Sequence, residues 1–390
     1  MNPRHNPFSP GAGTEPPELA GREKIIEDVS VALHRIRAGL SAKSVLMVGL
    51  RGVGKTVLLN RLKNDAEAEG LVCVQFESPE NRNLPAMLVP CLRAALFKLD
   101  RIAGTRDLVA RAVKVLGSFI GAAKVKYEGM EFGFDLGSEV GAADTGDLDY
   151  DLTEFLQCLG EAAREKKTAV VLFIDELQYV PERELAALIS ALHACAQKRL
   201  PITLVGAGLP QLVGNVGRAK SYAERLFDFP MIGALSNEAA TDALQRPVEV
   251  HQVYFAKEAI EEILKQTQGY PYFLQEWGSM CWSVATVSTI THEDAKVATS
   301  LAILQLDTSF FRVRFDRCTP MEKNYLRAMA EINSPAPRSG DIAAAMKKEV
   351  NQVGPLRQSL IRKGMIYSPS HGDTAFTVPL FADYMKRIIR

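Results

Sequence analysis

The chain has 390 residues, with 46 Lys and Arg against 46 Asp and Glu, so its formal net charge at pH 7 is zero. A balanced charge excludes a polycationic or polyacidic chain, and any surface for nucleic acid must therefore be local. With 47% hydrophobic and 24% charged residues, and no apolar run near the length of a membrane span, the composition is typical of a soluble globular protein of two or three domains.

The N-terminal segment and the cysteines bear on the cellular location of the protein. Residues 1–17 contain five prolines, a composition that predicts a flexible leader, and they lack the apolar segment of a secretory signal. The six cysteines lie far apart without a CxxC spacing, which favours reduced thiols over a disulfide framework or a zinc site. Together these features predict a cytoplasmic protein.

Strand and helix patterns alternate over the first 235 residues. Short β-branched apolar runs alternate with segments whose apolar residues recur at helical spacing, which is the pattern of a parallel α/β sheet. The predicted strands are 44–48, 71–76, 168–175, 202–205 and 229–235, and the predicted helices are 22–36, 56–66, 84–102 and 182–198. The unbroken apolar run within 168–175 predicts a strand covered on both faces.

Beyond residue 235 the pattern becomes almost wholly helical. Helices are predicted over 236–245, 257–268, 272–285 and 291–304, with Ser236 and Thr291 as N-caps. From residue 319 three further helices precede two short strands and a closing helix, the order of a winged helix. We therefore predict a leader (1–17), a nucleotide-binding domain (18–235), a helical lid domain (236–315) and a winged-helix domain (316–390).

Residues 49–56 read GLRGVGKT and fit the phosphate-loop pattern GxxxxGK[ST], directly after a predicted strand and at the start of a helix. Glycines let backbone N–H groups close around phosphate oxygens, and the helix N-terminus adds a positive dipole end. Lys55 would contact the β- and γ-phosphates, and the Thr56 hydroxyl would bind Mg²⁺. The candidate nucleotide-binding residues in this segment are Gly49, Gly52, Val53, Gly54, Lys55, Thr56 and Val57.

The predicted strand 168–175 ends in two acids, Asp175 and Glu176. Because parallel strands present their carboxyl ends at the same edge of a sheet, these acids are expected beside the phosphate loop. Asp175 is the candidate metal-binding carboxylate. Glu176 is the candidate general base for an attacking water, or else it caps the helix that follows.

These two motifs, with the helical lid and the winged helix, resemble the initiator-type branch of the AAA+ ATPases, the origin-recognition-like group and its bacterial and archaeal relatives. The resemblance covers about residues 18–390. It implies ATP or ADP with Mg²⁺ as cofactors, slow assembly-dependent hydrolysis, a homo-oligomer and duplex DNA as a possible partner. Gly21 and Arg22 resemble the GRE segment that packs near adenine in this family, although the same residues also suit the first turn of a helix.

Two segments depart from the family pattern. Where relatives carry a polar residue that senses the γ-phosphate, this chain has Gly206, Ala207 and Gly208, with Thr203 as the one polar residue nearby. Where relatives often carry a lid arginine, residues 269–272 read GYPY. A GxP here resembles the STAND group of signalling ATPases, in which Pro271 would pack against the nucleotide; a plain helix start with proline is the alternative.

Arg225 lies in a segment that resembles the one supplying an arginine finger to a neighbouring subunit. A fixed planar cation would there stabilise γ-phosphate charge in trans. The alternative is a surface arginine in a local ion pair with Glu224, and Arg218 is the substitute finger.

Residues 103–151 form a predicted insertion, since the two nucleotide motifs are farther apart than two βα units require. Within it, 124–134 alternates polar and apolar residues as a β-hairpin does. Relatives use an insertion here to contact DNA, and Lys124, Lys126 and Tyr127 could do so. The many neighbouring acids favour a partner or oligomer contact, or a purely structural flap.

The last 75 residues, 316–390, are locally basic, with twelve Lys and Arg against seven Asp and Glu. That excess is what a phosphate-binding winged helix requires. The candidate DNA-contacting residues on its third helix are Gln352, Arg357, Gln358, Arg362 and Lys363. We therefore expect an ATP-dependent, DNA-associated switch; the alternative is a STAND-like signalling or defence ATPase whose winged helix docks a protein.

Overall fold

The fold comes from a computed structural model, which describes residues 1–11, 13–79, 82–104, 106–122, 139, 141–332, 334–370 and 372–388. The hairpin predicted over 124–134, with Lys124, Lys126 and Tyr127, lies outside these residues. The chain divides into two compact units, which we treat separately. The sheet unit comprises residues 23–48 and 55–231, and the helical unit comprises residues 1–22, 49–54 and 232–390. The finer domain boundaries at 18, 236 and 316 stay predictions.

The sheet unit contains a five-stranded parallel sheet. Its strands are β1 (Ser44–Val48), β2 (Val72–Glu77), β3 (Val170–Asp175), β4 (Ile202–Gly208) and β5 (Phe227–Asp228), in the spatial order β2-β3-β4-β1-β5. All neighbouring pairs are parallel, which confirms the predicted α/β sheet. The last strand, 227–228, lies before the predicted 229–235, so that prediction was wrong in position. Pro230 has no N–H to donate to a ladder, and beyond it Met231 forms only an isolated bridge, with Val48.

Seven helices accompany this sheet within the described residues of the unit. They are α1 (Glu23–Arg37), α2 (Lys55–Ala68), α3 (Leu84–Arg101), α4 (Asp107–Ala122), α5 (Leu148–Glu165), α6 (Glu182–Gln197) and α7 (Gln211–Ala219). Apolar side chains of α3 to α6 form one core with β2, β3 and β4. This core fixes the carboxyl end of β3, where the candidate acids lie, beside the end of β4.

The described part of the predicted insertion, 103–151, is packed into that core. Phe119 of α4 is fully buried and stacks on Phe155 of α5 with ring centroids 6.1 Å apart. Two of its acids have structural roles: Asp147 accepts hydrogen bonds from the first N–H groups of α5, and Asp151 accepts from the turn before it. Part of the acidity of this segment is therefore explained by capping.

The α-helices of the helical unit follow residue 236. Its first helices are α8 (Asn237–Glu249), α9 (Lys257–Thr267), α10 (Pro271–Val284), α11 (His292–Gln305) and α12 (Arg312–Asp316), with a short parallel pair β6 (Tyr254–Phe255) and β7 (Thr289–Ile290). Ser236 and Thr291 cap α8 and α11 as predicted. A π-helical turn, Leu306–Phe311, joins α11 to α12.

The last elements follow the predicted order. They are α13 (Pro320–Glu331), α14 (Ser339–Ala345), α15 (Val350–Arg362), the antiparallel pair β8 (Ile366–Tyr367) and β9 (Ala375–Phe376), and α16 (Phe381–Ile388). Three helices, a hairpin and a closing helix are thus present. The assignment of this region as a winged helix stays a prediction.

The N-terminal segment differs from the flexible leader that its prolines predict. Phe8 is only 4% exposed and lies against Gly278 of α10, where an added Cβ would come within 2.6 Å of the ring. The Asn6 amide also donates to the Ser279 hydroxyl at 3.0 Å. Burying this phenylalanine contributes roughly 1.5–3 kcal/mol to holding the proline-rich segment on α10.

The structure also bears on the cysteines and on membrane-spanning helices. All six cysteines are free thiols, five of them buried, and burial raises the pKa of Cys73 and Cys195 to about 12. In the described ranges, no helix has both the length and the apolar character needed to cross a bilayer.

Candidate functional site

The glycine-rich loop, residues 49–54, directly follows β1 and ends where α2 begins at Lys55, as its motif predicts. Gly52 and Gly54 have φ of +83° and +90°, backbone conformations that strain any residue with a Cβ. A Cβ at Gly49 would lie 2.1 Å from the Ile232 carbonyl oxygen. At Gly54 an added Cβ would meet open space, as expected where a loop curves around a ligand.

Arg22 holds this loop in the helical unit. The residue is 8% exposed, and its guanidinium donates to the Val53 carbonyl at 3.3 Å and to the Gly233 carbonyl at 2.6 Å. Gly21 precedes it with φ of +69° and lies close to Ala239. The GRE segment therefore supports the loop backbone, which goes beyond the helix-capping alternative. A contact with adenine stays a prediction.

The GYPY segment also bonds to the loop. The Tyr272 N–H donates to the Gly52 carbonyl at 3.1 Å, and the Tyr270 hydroxyl donates to the Arg51 carbonyl. A Cβ at Gly52 would come within 3.1 Å of Tyr270 and 3.2 Å of Tyr272, so a larger residue there would disturb both tyrosines. Pro271 occupies the first turn of α10, where its missing N–H costs nothing; its proposed contact with nucleotide stays a prediction.

The C-terminal region reaches the same loop. The Arg51 N–H donates to the Thr377 carbonyl at 3.2 Å, just after β9. Thr377 is itself fixed because its hydroxyl donates to the Gly364 carbonyl at 2.6 Å. Sequence reasoning missed this contact, since no motif around Thr377 marks it.

In the sheet unit, the first turn of α2 meets the end of β3. The Thr56 hydroxyl donates to Asp175 Oδ2 at 2.5 Å, and Lys55, the first residue of α2, is 6% exposed. Val57 is buried in the same turn. Burial raises the pKa of the Asp175 carboxyl, while the bond from Thr56 and the positive charge of Lys55 oppose that rise. The two motifs are thus brought together as the sheet edge predicts.

This donor set fits a magnesium–nucleotide complex. Mg²⁺ prefers hard oxygen ligands and takes one or two from a protein, with phosphates and waters completing its octahedron. A hydroxyl and a carboxylate oxygen 2.5 Å apart supply that kind of site. The glycines of the loop and the buried Lys55 match what phosphates need.

Glu176 follows the strand in a left-handed backbone conformation, with φ of +53°. Its N–H donates to Asp175 Oδ1 at 2.8 Å, and its carboxylate accepts a hydrogen bond from the Gln178 amide. A non-glycine residue in this region costs of order 1–3 kcal/mol, and Glu176 shares this conformation with seven other described non-glycine residues. Glu176 occupies the N-cap position of the 3₁₀ turn Leu177–Tyr179, but its side chain makes no capping hydrogen bond. Its role as general base stays a prediction.

The two arginine-finger candidates differ in their surroundings. Arg218 is bonded to Glu182 at 3.3 Å and to Asn215 at 2.8 Å. Arg225 is the exposed last residue of the 3₁₀ turn Ala223–Arg225, and among the described residues it has no ion pair, including with Glu224. Of the two, Arg225 is the side chain that is available to a neighbour.

The candidate DNA-contacting residues differ in whether their side chains are bonded within the protein or exposed. Arg357 donates to Thr374, Ser368 and the Asp373 carbonyl, and Lys363 pairs with Glu322 at 2.7 Å. These two cations are thus engaged within the protein. Of the others, Gln352 accepts from the Glu349 N–H, and Gln358 and Arg362 are exposed.

Residues 18–205 match the family of the AAA ATPase domain. Residues 308–385 match a second family, described as a domain of unknown function, DUF8462. A search of curated proteins finds no match to the chain.

A solved structure shares the fold of the chain. A Walker-type ATPase of Pyrococcus abyssi superposes with a TM-score of 0.58 at 15% identity, over 96% of this chain and 97% of that one. At this identity the likeness shows the fold alone. The Thermotoga maritima RuvB Holliday junction branch migration motor (16% identity, 94% and 95% covered) and the Aeropyrum pernix ORC1 protein in complex with DNA (15%, 96% and 94%) score 0.45, too low to support an argument.

Proposed function

We propose that the chain binds MgATP and hydrolyses it to ADP and phosphate. The observation that carries this proposal is the hydrogen bond of the Thr56 hydroxyl to Asp175, beside the buried Lys55. The match of residues 18–205 to an AAA ATPase domain supports it.

Each residue then has a chemical role. Loop 49–54 and the N-terminus of α2 bind phosphate oxygens, with Lys55 supplying positive charge. Thr56 and Asp175 hold Mg²⁺, which when bound neutralises charge on the phosphates. Glu176 takes a proton from the water whose oxygen bonds to the γ-phosphorus, while the bond from that phosphorus to the β-phosphate oxygen breaks.

The direct test is phosphate release from ATP by the purified chain, with Mg²⁺ present and with Mg²⁺ removed by chelation. We expect slow release that requires Mg²⁺. A chain that binds ATP yet releases no phosphate at any protein concentration would leave only a binding role.

Arg225 supports hydrolysis between subunits of a homo-oligomer. Replacing Arg225 by alanine is expected to lower turnover about 10³-fold or more at concentrations where the chain self-associates, and to leave the dilute chain unchanged. The measurement is phosphate release across a protein concentration series, with oligomer size followed by light scattering. Arg164→Ala, at an exposed position in α5, is the matched control. An equal loss in the dilute chain would refute a role in trans.

The contacts of the phosphate loop support a nucleotide-dependent switch. Tyr270, Tyr272 and the Thr377 carbonyl all bond to backbone groups of residues 51–52 within the helical unit. A change in the loop on ATP binding or hydrolysis would therefore alter contacts of α10 and of the hairpin region at once. This arrangement would turn the state of the nucleotide into a change at the C-terminal region.

The charge of the C-terminal region indicates which partner the proposed switch would bind. The basic excess of residues 316–390 favours duplex DNA, with Gln352, Gln358 and Arg362 as the exposed candidates. The internal bonds of Arg357 and Lys363 favour the second candidate, a STAND-like signalling ATPase whose C-terminal region docks a protein partner.

A salt series separates these two candidates. If DNA is the partner, duplex affinity should fall as salt rises and depend on whether ATP, ADP or no nucleotide is present. Arg362→Ala should then reduce the slope of log K against log[salt] by about 1. Fluorescence anisotropy of a labelled duplex gives both values, with Arg199→Ala as the control. Absence of binding in every nucleotide state would favour the protein-docking candidate.

A further inference from the structure

Gln178 is the residue in the sheet unit that links the two strand ends of the proposed active site. It lies three residues after Asp175, is 8% exposed, and sits in the 3₁₀ turn Leu177–Tyr179. Its amide nitrogen donates to the Glu176 carboxylate, and its amide oxygen accepts from the Leu209 N–H at 3.0 Å. The same side chain therefore contacts both the acid after β3 and the backbone after β4.

The glycines at the end of β4 are matched to this side chain. A Cβ at Gly208 would lie 2.7 Å from the Gln178 amide oxygen, and a Cβ at Gly206 would lie 2.3 Å from Leu177. Both distances are shorter than Cβ contacts in real proteins. Glycine at 206 and 208 thus makes room for the turn after β3 to pack on β4.

No side chain of β4 itself can take the place of Gln178. Thr203, the polar residue of that strand, is buried and shares a hydrogen bond of 3.1 Å with Ser44 at the opposite end of β1 from the phosphate loop. Gly206, Ala207 and Gly208 have no polar side-chain atoms. Among these residues, the side-chain amide at the carboxyl end of β4 is therefore that of Gln178, in the turn after β3.

We propose that Gln178 is a positioning residue that orients Glu176 as general base and ties it to the carboxyl end of β4. This inference rests on the proposed ATPase function. A hydrogen bond from an amide to a carboxylate is charge-assisted and directional, so it restricts the carboxylate to one orientation. Because the amide oxygen is held by Leu209 N–H, the amide cannot rotate freely, and a shift of β4 is transmitted to Glu176.

The test is steady-state ATP hydrolysis by Gln178→Met, which keeps the length of the side chain and removes its amide. We expect kcat to fall about 10- to 100-fold, since a misplaced catalytic group costs up to about 10²-fold, with the affinity for an ATP analogue unchanged. Gln178→Glu keeps the acceptor for Leu209 but faces Glu176 with a second carboxylate, and should show a similar loss. Gln197→Met, at an exposed position in α6, is the matched control.

A double variant separates positioning from a structural role. If Gln178 acts through Glu176, then Gln178→Met should not lower kcat further in a Glu176→Gln background. A further loss there, a parallel loss of nucleotide affinity, or wild-type kcat in both Gln178 variants would overturn the inference. Failure of the wild-type chain to hydrolyse ATP would instead contradict the proposed function, so the two failures are distinguishable.

Discussion

Replacing Lys55 by alanine is expected to weaken ATP binding by about a hundredfold or more. The ammonium group is buried at the start of α2, and charge-assisted hydrogen bonds to phosphate contribute about 3 kcal/mol. The charge of Lys55 also opposes the rise in the pKa of Asp175 that burial causes. Titration with a fluorescent ATP analogue in the presence of Mg²⁺ measures the effect.

The control for this experiment lies on the same helix. Lys63→Ala changes a half-buried lysine two turns further along α2 and should leave the affinity for the analogue unaltered. If Lys55→Ala binds the analogue as tightly as the wild-type chain, the phosphate-loop assignment fails. Circular dichroism of both variants shows that neither has lost its fold.

Glu176→Gln should keep ATP binding and lower turnover by about 10²- to 10⁴-fold, the usual contribution of a general base. An amide has the shape of the carboxylate but does not accept the proton of an attacking water. The residue makes no hydrogen bond to Thr56, whose partner is Asp175, so the metal-holding pair should remain intact. Single-turnover hydrolysis with chain in excess over radiolabelled ATP separates this chemical step from product release.

Two outcomes would contradict this role. Retained hydrolysis in Glu176→Gln would move the base to another residue, and a loss of ATP affinity would give Glu176 a part in binding. Glu165→Gln, at an exposed position near the end of α5, is the matched control and should behave as the wild-type chain.

The parallel sheet and the phosphate loop were predictable because both depend on local patterns. An unbroken apolar run such as 169–174 can be satisfied only by a strand covered on both faces, and the structure buries all of β3. The glycines at 52 and 54 mark a loop with positive φ, and the structure has them at +83° and +90°. The meeting of Thr56 and Asp175 followed from the rule that parallel strands end at one edge.

Other features of the candidate site depend on contacts between distant parts of the chain, and no local pattern reports these. The bond of the Arg51 N–H to Thr377 joins residues more than 300 positions apart. From sequence alone, GAG at 206–208 indicates only that the polar residue that senses the γ-phosphate in relatives is absent. In the structure, its two glycines leave room for Leu177 and Gln178. Likewise, Arg357 reads as a surface cation until its three internal oxygen partners are known.

The sequence by itself determined the strand–loop–helix motif, the acidic end of β3 and the order of the C-terminal helices and hairpin, because periodicity and glycine placement act over a few residues. The tertiary structure alone decided that Phe8 anchors the N-terminal segment, that Tyr270 and Thr377 bond to the phosphate loop, and that Gln178 contacts Glu176. The physical reason is that a hydrogen bond or a buried ring needs a partner at a specific distance, and only the folded chain sets the distance between residues remote in sequence.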